Sequence, residues 1–106
     1  MTKVEAIMAI DGCTALLDSC YPVSDSLIGL MAELSNIKED FVSKGKELVV
    51  KLGLDKSVQA VKDLGVESCS VSIKDIPISS DAFLSLEESY QNLLKPLIED
   101  GYITVV

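Results

Sequence analysis

The sequence predicts a mainly helical α+β domain, with about four helices and one small two-stranded sheet. Apolar residues recur at three- and four-residue steps along most of the 106 residues, as they do on helices with one buried face. The step shortens to two near residues 67–74, and an apolar run closes the chain at 102–106; both patterns are typical of strands. Two strands alone are marginally stable, so we expect them to lie on helices or to pair with another chain.

We expect residues 1–106 to form a single domain, because no repeat, low-complexity tract or Pro/Gly-rich linker divides the chain. Hydrophobic residues make up 48% of the sequence and aromatic residues only 5%. This composition predicts an aliphatic core with apolar surface to spare. Apolar surface beyond the needs of a core commonly lies at an oligomer or partner interface.

The first helix is predicted over 3–19, where the apolar arc is wide enough for burial on more than one side. Gly12 weakens this prediction, because glycine costs about 1 kcal/mol relative to alanine inside a helix. Tyr21-Pro22 is predicted to end the helix, since the residue before a proline disfavours helical geometry.

A second helical pattern covers about 25–52, with Ser24 as a suitable N-cap residue and Gly53 as the end. It is either one long helix or two helices that divide near Ser35-Asn36. The second alternative is suggested by Asn36 and Glu39, which have the spacing of a capping box.

Asp55 is predicted to cap a short helix over roughly 56–64 that ends at Gly65. The residues expected to point inward from it are Val58, Val61 and Leu64. The strand near 67–74 follows, because Cys69, Val71 and Ile73 alternate with polar residues.

The last helix is predicted over about 81–99, opened by Ser79-Ser80-Asp81 and ended by Gly101. Pro96 removes one of its hydrogen bonds, and we expect a kink there. The clearest apolar stripe of the chain lies on this helix and consists of Phe83, Leu86, Tyr90, Leu93 and Leu97. Stripes of this kind are more often core than interface, but these five residues are the predicted partner-binding site if the stripe is exposed.

Charge and missing residue types exclude several classes of function. The chain has 17 acidic residues and 9 basic ones, for a net charge of -8, and all nine basic residues are lysines. Without histidine there is no imidazole base and no zinc site of the Cys and His type, and without arginine there is no planar two-pronged grip on phosphate. The negative charge also opposes binding to nucleic acid. We therefore expect no enzyme activity, no cofactor, no metal site and no nucleic-acid partner.

The three cysteines, Cys13, Cys20 and Cys69, form no Cys-x-x-Cys pair. We interpret them as reduced thiols of a cytoplasmic protein. No apolar run is long enough to span a membrane, and Glu5 and Asp11 interrupt the N-terminal apolar residues, so we expect neither a membrane partner nor a secretory signal. No glycine-rich phosphate loop occurs, and Lys44-Gly45-Lys46 is interpreted as a solvated basic spot.

Two segments resemble known families. Leu93–Ile103, which reads LLKPLIEDGYI, resembles the end of a winged-helix recognition helix as it enters its wing. This resemblance implies a transcription regulator, although Lys95 is the only basic residue of the helix predicted over 81–99. Asp25-Ser26-Leu27 is similar to the Asp-Ser-Leu of acyl carrier proteins, which implies a phosphopantetheine arm on Ser26; no glycine precedes Asp25 here.

The hypothesis that the residues favour is a small acidic protein that acts through its surface. Such a protein would be a homo-oligomeric component, an adaptor or an inhibitor, and its negative field would favour a partner protein with a basic surface.

Overall fold

A computed structural model describes residues 1–19 and 25–106 of the chain. Within these ranges the elements, in chain order, are α1 Lys3–Ser19, α2 Asp25–Leu52, α3 Leu54–Gly65, β1 Ile76–Ile78, α4 Ser80–Leu84, α5 Glu88–Glu99 and β2 Ile103–Val105. The predicted class, mainly helical α+β with a small two-stranded sheet, is confirmed. The predictions made for Cys20, Tyr21-Pro22 and Ser24 lie outside the described residues.

Helix α1 begins with a reciprocal capping box. The Glu5 amide donates to Thr2 Oγ1 at 3.1 Å, and the Thr2 amide donates to Glu5 Oε1 at 2.7 Å. The two bonds satisfy amides that a helix start leaves without partners. The helix packs on both α2 and α5, and its fully buried apolar side chains are Ala6, Ala9, Cys13 and Leu16.

Helix α2 is one uninterrupted helix of 28 residues, about 42 Å long. It does not divide at Ser35-Asn36, so the capping-box spacing there is unused. Its N-terminal half carries the buried residues Leu27, Leu30 and Leu34. Gly53, with φ of 82°, ends α2 as predicted; this left-handed conformation favours glycine.

Two predictions for helix α3 are wrong, namely the cap at Asp55 and the burial of Val58. Its N-cap residue is Gly53, with no side-chain cap, and Asp55 lies inside the first turn. The side chain of Val58 is 54% exposed, because α3 packs chiefly on α2 and turns Ser57 and Gly65 inward. Val61 and Leu64 are half-buried.

The prediction that residues 67–74 form a strand of the sheet is wrong. Val71 is buried and its polar neighbours are exposed, so the alternation does record one-sided burial. However, apart from a single bridge between Ser68 and Thr2, the segment pairs with no strand. Its amides at Ser72 and Ile73 instead donate to the Glu33 carboxylate of α2, at 3.0 and 3.4 Å.

The sheet consists of β1 and β2, which are parallel, and β2 lies inside the predicted 102–106 strand. Ile76 pairs with Ile103 and Ile78 with Val105. Parallel strands need a crossover connection, and helices α4 and α5 provide it. The strand that pairs with β2 is therefore Ile76–Ile78 and not the predicted strand near 67–74.

The helix predicted over 81–99 is divided into α4 and α5. Ser79 caps α4, with its hydroxyl accepting from the Ala82 amide at 3.1 Å. The Ser85 hydroxyl then donates to the Ala82 carbonyl at 2.7 Å, a local bond of the kind that competes with helix continuation. Leu86 turns inward between the two helices and is 8% exposed.

The end of α5 is a Schellman motif. The Tyr102 amide donates to the Leu97 carbonyl at 2.9 Å and the Gly101 amide to the Ile98 carbonyl at 3.2 Å. Gly101 has φ of 80°, so the predicted helix end at this glycine is confirmed. The turn aims the chain into β2 and buries Tyr102 and Ile103 in the core.

Candidate functional site

The five residues predicted to bind a partner do not form one exposed surface. Phe83 lies on α4, Leu86 in the turn before α5, and Tyr90, Leu93 and Leu97 on α5. Leu86 and Leu97 belong to the core, and Phe83 packs against it. Leu93 is half-buried, while Tyr90 is 36% exposed. Burial therefore favours a core role for most of the stripe, and partner binding by these residues stays a prediction.

Two of these residues, Leu86 and Tyr90, line a groove between α1 and the turn that joins α4 to α5. The groove has a volume of about 400 Å³. We call it the acidic groove; its lining residues are Asp11, Thr14, Ala15, Asp18, Ser85, Leu86, Glu87 and Tyr90.

Three carboxylates face the acidic groove from two directions. Asp11 and Asp18 are seven residues apart on α1, or about 10 Å along the helix axis. Glu87 is the N-cap residue of α5. None of the three forms an ion pair within the described part of the chain, where lysine or the N-terminal amine pairs only with Asp40, Glu67 and Asp100. The groove thus offers unpaired negative charge beside apolar surface.

Tyr90 and Leu86 supply the apolar part of the acidic groove. The Gln91 side-chain amide donates to the Leu86 carbonyl at 2.9 Å, which joins the turn to the first turn of α5. The phenol of Tyr90 adds an aromatic face next to the carboxylates. A lysine or arginine side chain suits such a site, since its apolar stem can contact Tyr90 while its charge meets a carboxylate.

A second surface lies on the hairpin formed by the C-terminal half of α2 and by α3, here residues 42–65. It has an apolar concavity of about 600 Å³. We call this concavity the hairpin face; it is lined by Val42, Gly45, Lys46, Val49, Val50 and Val61. Beside it, a depression of about 720 Å³ includes Lys44 and Lys51.

Charge is divided unevenly between the hairpin and the rest of the chain. Residues 42–65 carry five lysines and three acidic residues, a net charge of +2. All other residues carry four lysines and fourteen acidic residues, a net charge of -10. A positively charged, apolar hairpin therefore projects from a strongly negative body, in a molecule that extends 47 × 25 × 21 Å.

The described cysteines, Cys13 and Cys69, are free thiols. Cys13 is fully buried, and desolvation raises its pKa to about 12. Burial also raises the pKa of Cys69. A thiol attacks as its thiolate, so both environments work against nucleophilic reactivity. Among the described residues, no group of three Cys, Asp or Glu side chains is arranged to hold a metal ion.

Ser26, the residue of the carrier-protein resemblance, is exposed in the first turn of α2. The segment of the winged-helix resemblance forms the second half of α5 and the turn into β2. Both hypotheses stay predictions. None of the helices in the described ranges has the length and apolar character that crossing a membrane requires.

Comparison with known proteins finds no family model, no curated protein and no solved structure that matches this chain.

Sequence reasoning missed both surfaces, and only the hairpin has a signal in the sequence. The acidic groove joins carboxylates that are 76 positions apart in the chain, Asp11 and Glu87, and only packing brings them together. The hairpin could have been noticed from its lysines, because five of the nine lie within 42–65. Lys44-Gly45-Lys46, interpreted from sequence as a solvated spot, is part of that positive surface.

Proposed function

We propose that this chain is a small acidic protein that acts by binding a basic partner protein, as an adaptor, an inhibitor or an oligomeric component, and that it is not an enzyme. The observation that carries the proposal is the acidic groove, with its three unpaired carboxylates beside Tyr90. A lysine- or arginine-bearing segment of a partner is the occupant that this chemistry fits best.

The charge of the body supports the same proposal. A net charge of -10 outside the hairpin creates a field that attracts positively charged proteins and accelerates their encounter. The groove then supplies the short-range contacts that such a field lacks. The field alone is nonspecific, whereas a groove of fixed shape can select one partner.

Residue chemistry supports a role without catalysis. The sequence has neither histidine nor arginine, and the pKa values of Cys13 and Cys69 are raised, not lowered. Free cysteines favour a reducing compartment, and we propose the cytoplasm on that ground.

The test is titration of the protein with a helical peptide of lysine and leucine by isothermal titration calorimetry, at low and at moderate salt. We compare the wild type with the groove variant Asp11→Asn/Asp18→Asn/Glu87→Gln. Loss of three exposed charge contacts should weaken binding on the order of tenfold. Added salt should weaken the wild type more than the variant, because salt screens the charge contacts.

The matched control is Glu39→Gln/Asp63→Asn/Glu99→Gln, which removes the same charge at exposed positions outside the groove. It should keep the affinity within about twofold, since only distant and screened charges are lost. Equal weakening in both variants would show that net charge, not the groove, binds the peptide, and a wild type that does not bind would also refute the proposal.

A further inference from the structure

We propose that two copies of this chain associate reciprocally, so that the hairpin face of each copy lies on the acidic groove of the other. This inference rests on the proposed function, because it takes the acidic groove as a binding site and names the basic partner as a second copy.

The hairpin leaves large apolar side chains in water. Val50 is 87% exposed, Leu54 is 74% exposed and Val58 is 54% exposed. Helix α3 packs chiefly on α2, with only a minor contact to α1, so no residue in the described ranges 1–19 and 25–106 covers these side chains. Of these three, Val50 lines the hairpin face, and Leu54 and Val58 lie elsewhere on the same hairpin. Large apolar side chains exposed on one helix pair are typical of a site of association.

The choice of valine adds a second observation. A β-branched residue loses side-chain freedom in a helix and is a poorer helix former than leucine or alanine. Three valines of α2, namely Val42, Val49 and Val50, line the hairpin face. Val50, which is 87% exposed, has this cost with little gain from burial, and a second copy seated on the face would supply the burial.

Charge complementarity identifies the occupant. Lys46 lines the hairpin face itself, and Lys51 lies in the neighbouring depression. Neither forms an ion pair with a described residue; Lys44 is the one of this group that does, with Asp40 at 3.1 Å on its own helix. Unpaired lysines on the hairpin match the unpaired carboxylates of the acidic groove.

The hairpin tip and the acidic groove lie at different places along the molecule. An added Cβ at Gly65, the last residue of α3, would lie 2.6 Å from Val4 Cγ2 and 3.6 Å from Phe41 Cε2. The start of α1 therefore lies at the middle of α2, and the hairpin tip at Gly53 projects away from it. The groove lies farther along α1, so the two copies of the proposed two-fold pair would run antiparallel.

The alternative arrangement places one hairpin face on the other. It would bring together two hairpins that each carry a net charge of +2, and it would leave the carboxylates of both grooves unpaired. Like charges placed together oppose association. The reciprocal arrangement is therefore the one that the charges favour.

A charge-reversal experiment separates the two arrangements. Variant A is Lys44→Glu/Lys46→Glu/Lys51→Glu, and variant B is Asp11→Lys/Asp18→Lys/Glu87→Lys. In a reciprocal dimer of A, each acidic hairpin would face an acidic groove. In a reciprocal dimer of B, each basic hairpin would face a basic groove. One copy of A with one of B restores both attractive contacts.

The measurement is sedimentation velocity of the wild type, A, B and their equimolar mixture, with helix content checked by circular dichroism. We expect a wild-type dimer that weakens with salt, monomers of A and of B with a dissociation constant raised on the order of tenfold or more, and a one-to-one dimer in the mixture. Formation of the mixed dimer also shows that both variants are folded.

Two results would overturn the inference. Dimerisation of B alone would show that the hairpins bind each other, and a wild type that stays monomeric would show that no such pair forms. A monomeric wild type that still binds the lysine-leucine peptide in its groove would leave the proposed function standing. A dimer whose groove variant binds that peptide as well as the wild type does would instead refute the role of the groove.

Discussion

Replacing Gly12 by alanine tests whether a close approach of α1 and α5 holds this fold together. Gly12 is buried in the middle of α1. A Cβ added there would lie 2.8 Å from Leu94 Cγ, 3.0 Å from Leu94 Cδ2 and 3.3 Å from the Tyr90 carbonyl oxygen. Leu94 is fully buried, and its Cγ is not a flexible end, so the two helices must move apart.

Two effects of opposite sign decide the magnitude. Alanine is a better helix former than glycine by about 1 kcal/mol. Inserting a methyl group into a packed interior costs about 1–3 kcal/mol. The overpacking wins, and we expect the free energy of unfolding to fall by up to about 2 kcal/mol. For a domain of this size, the melting temperature should drop by several degrees and up to roughly 10 °C.

Gly45→Ala is the matched control, because the same substitution there meets no close contact. Gly45 lies within α2, and its added Cβ would touch only Val61 Cγ2, at 4.0 Å. The gain in helix propensity is then unopposed, so we expect stability to rise by about 1 kcal/mol at most. Both variants are measured by urea unfolding with circular dichroism, at one low protein concentration so that association does not contribute.

A double-variant cycle with Leu94→Ala sharpens the test. Leu94→Ala alone should cost about 2–5 kcal/mol. In the Gly12→Ala background it should cost about 1 kcal/mol less, because the shortened side chain makes room for the new methyl group. If Gly12→Ala stabilises the protein as much as Gly45→Ala does, or if the two changes at positions 12 and 94 are additive, the close approach is refuted.

Three further predictions follow from single contacts. Hydrogen bonds from Ser72 lower the pKa of Glu33 below its ordinary value of about 4.3; the stability that this carboxylate contributes is therefore present above that pH and is lost as the pH falls below it. The difference in unfolding free energy between wild type and Glu33→Ala should accordingly shrink as the pH falls below the ordinary glutamate pKa of about 4.3, and a difference that is constant with pH would contradict this. Ser79→Ala removes the side-chain acceptor that caps α4 and should cost about 1 kcal/mol in urea unfolding, whereas Ser79→Asp should cost much less. Alkylation mapped by mass spectrometry should label Cys69 faster than Cys13 in the native protein, because burial raises the pKa of the Cys13 thiol to about 12 and covers it; equal rates at the two cysteines would contradict the described burial.

Local chemistry in the sequence accounts for most element boundaries. Gly53 and Gly101 were predicted as helix ends, and both adopt the positive φ that favours glycine. Ser79 was predicted in the segment that opens a helix, and it is the N-cap of α4. The capping box of Thr2 and Glu5 was readable in the same way, since the Thr-x-x-Glu spacing stands in the sequence. Caps and turns depend on residues within a few positions of one another.

The strand near 67–74 shows where such reasoning ends. Its alternating pattern reports which side chains are buried, and Val71 is buried as expected. A ladder also needs a neighbouring backbone, and the place beside β2 is taken by Ile76–Ile78. The amides of Ser72 and Ile73 donate to the carboxylate of Glu33 instead. Which strand pairs is decided by distant partners that periodicity does not contain.

Composition, charge, helix periodicity and the helix ends at Gly53 and Gly101 were readable from the chain itself, because each is a property of single residues or of near neighbours. Only tertiary packing decided that Gly12 allows a close approach of α1 and α5. It also placed Leu86 and Leu97 in the core. The carboxylates of Asp11, Asp18 and Glu87 line one groove for the same reason. Packing also left Val50 and Val58 of the hairpin exposed. These features depend on which surfaces meet, and that is set by the whole chain.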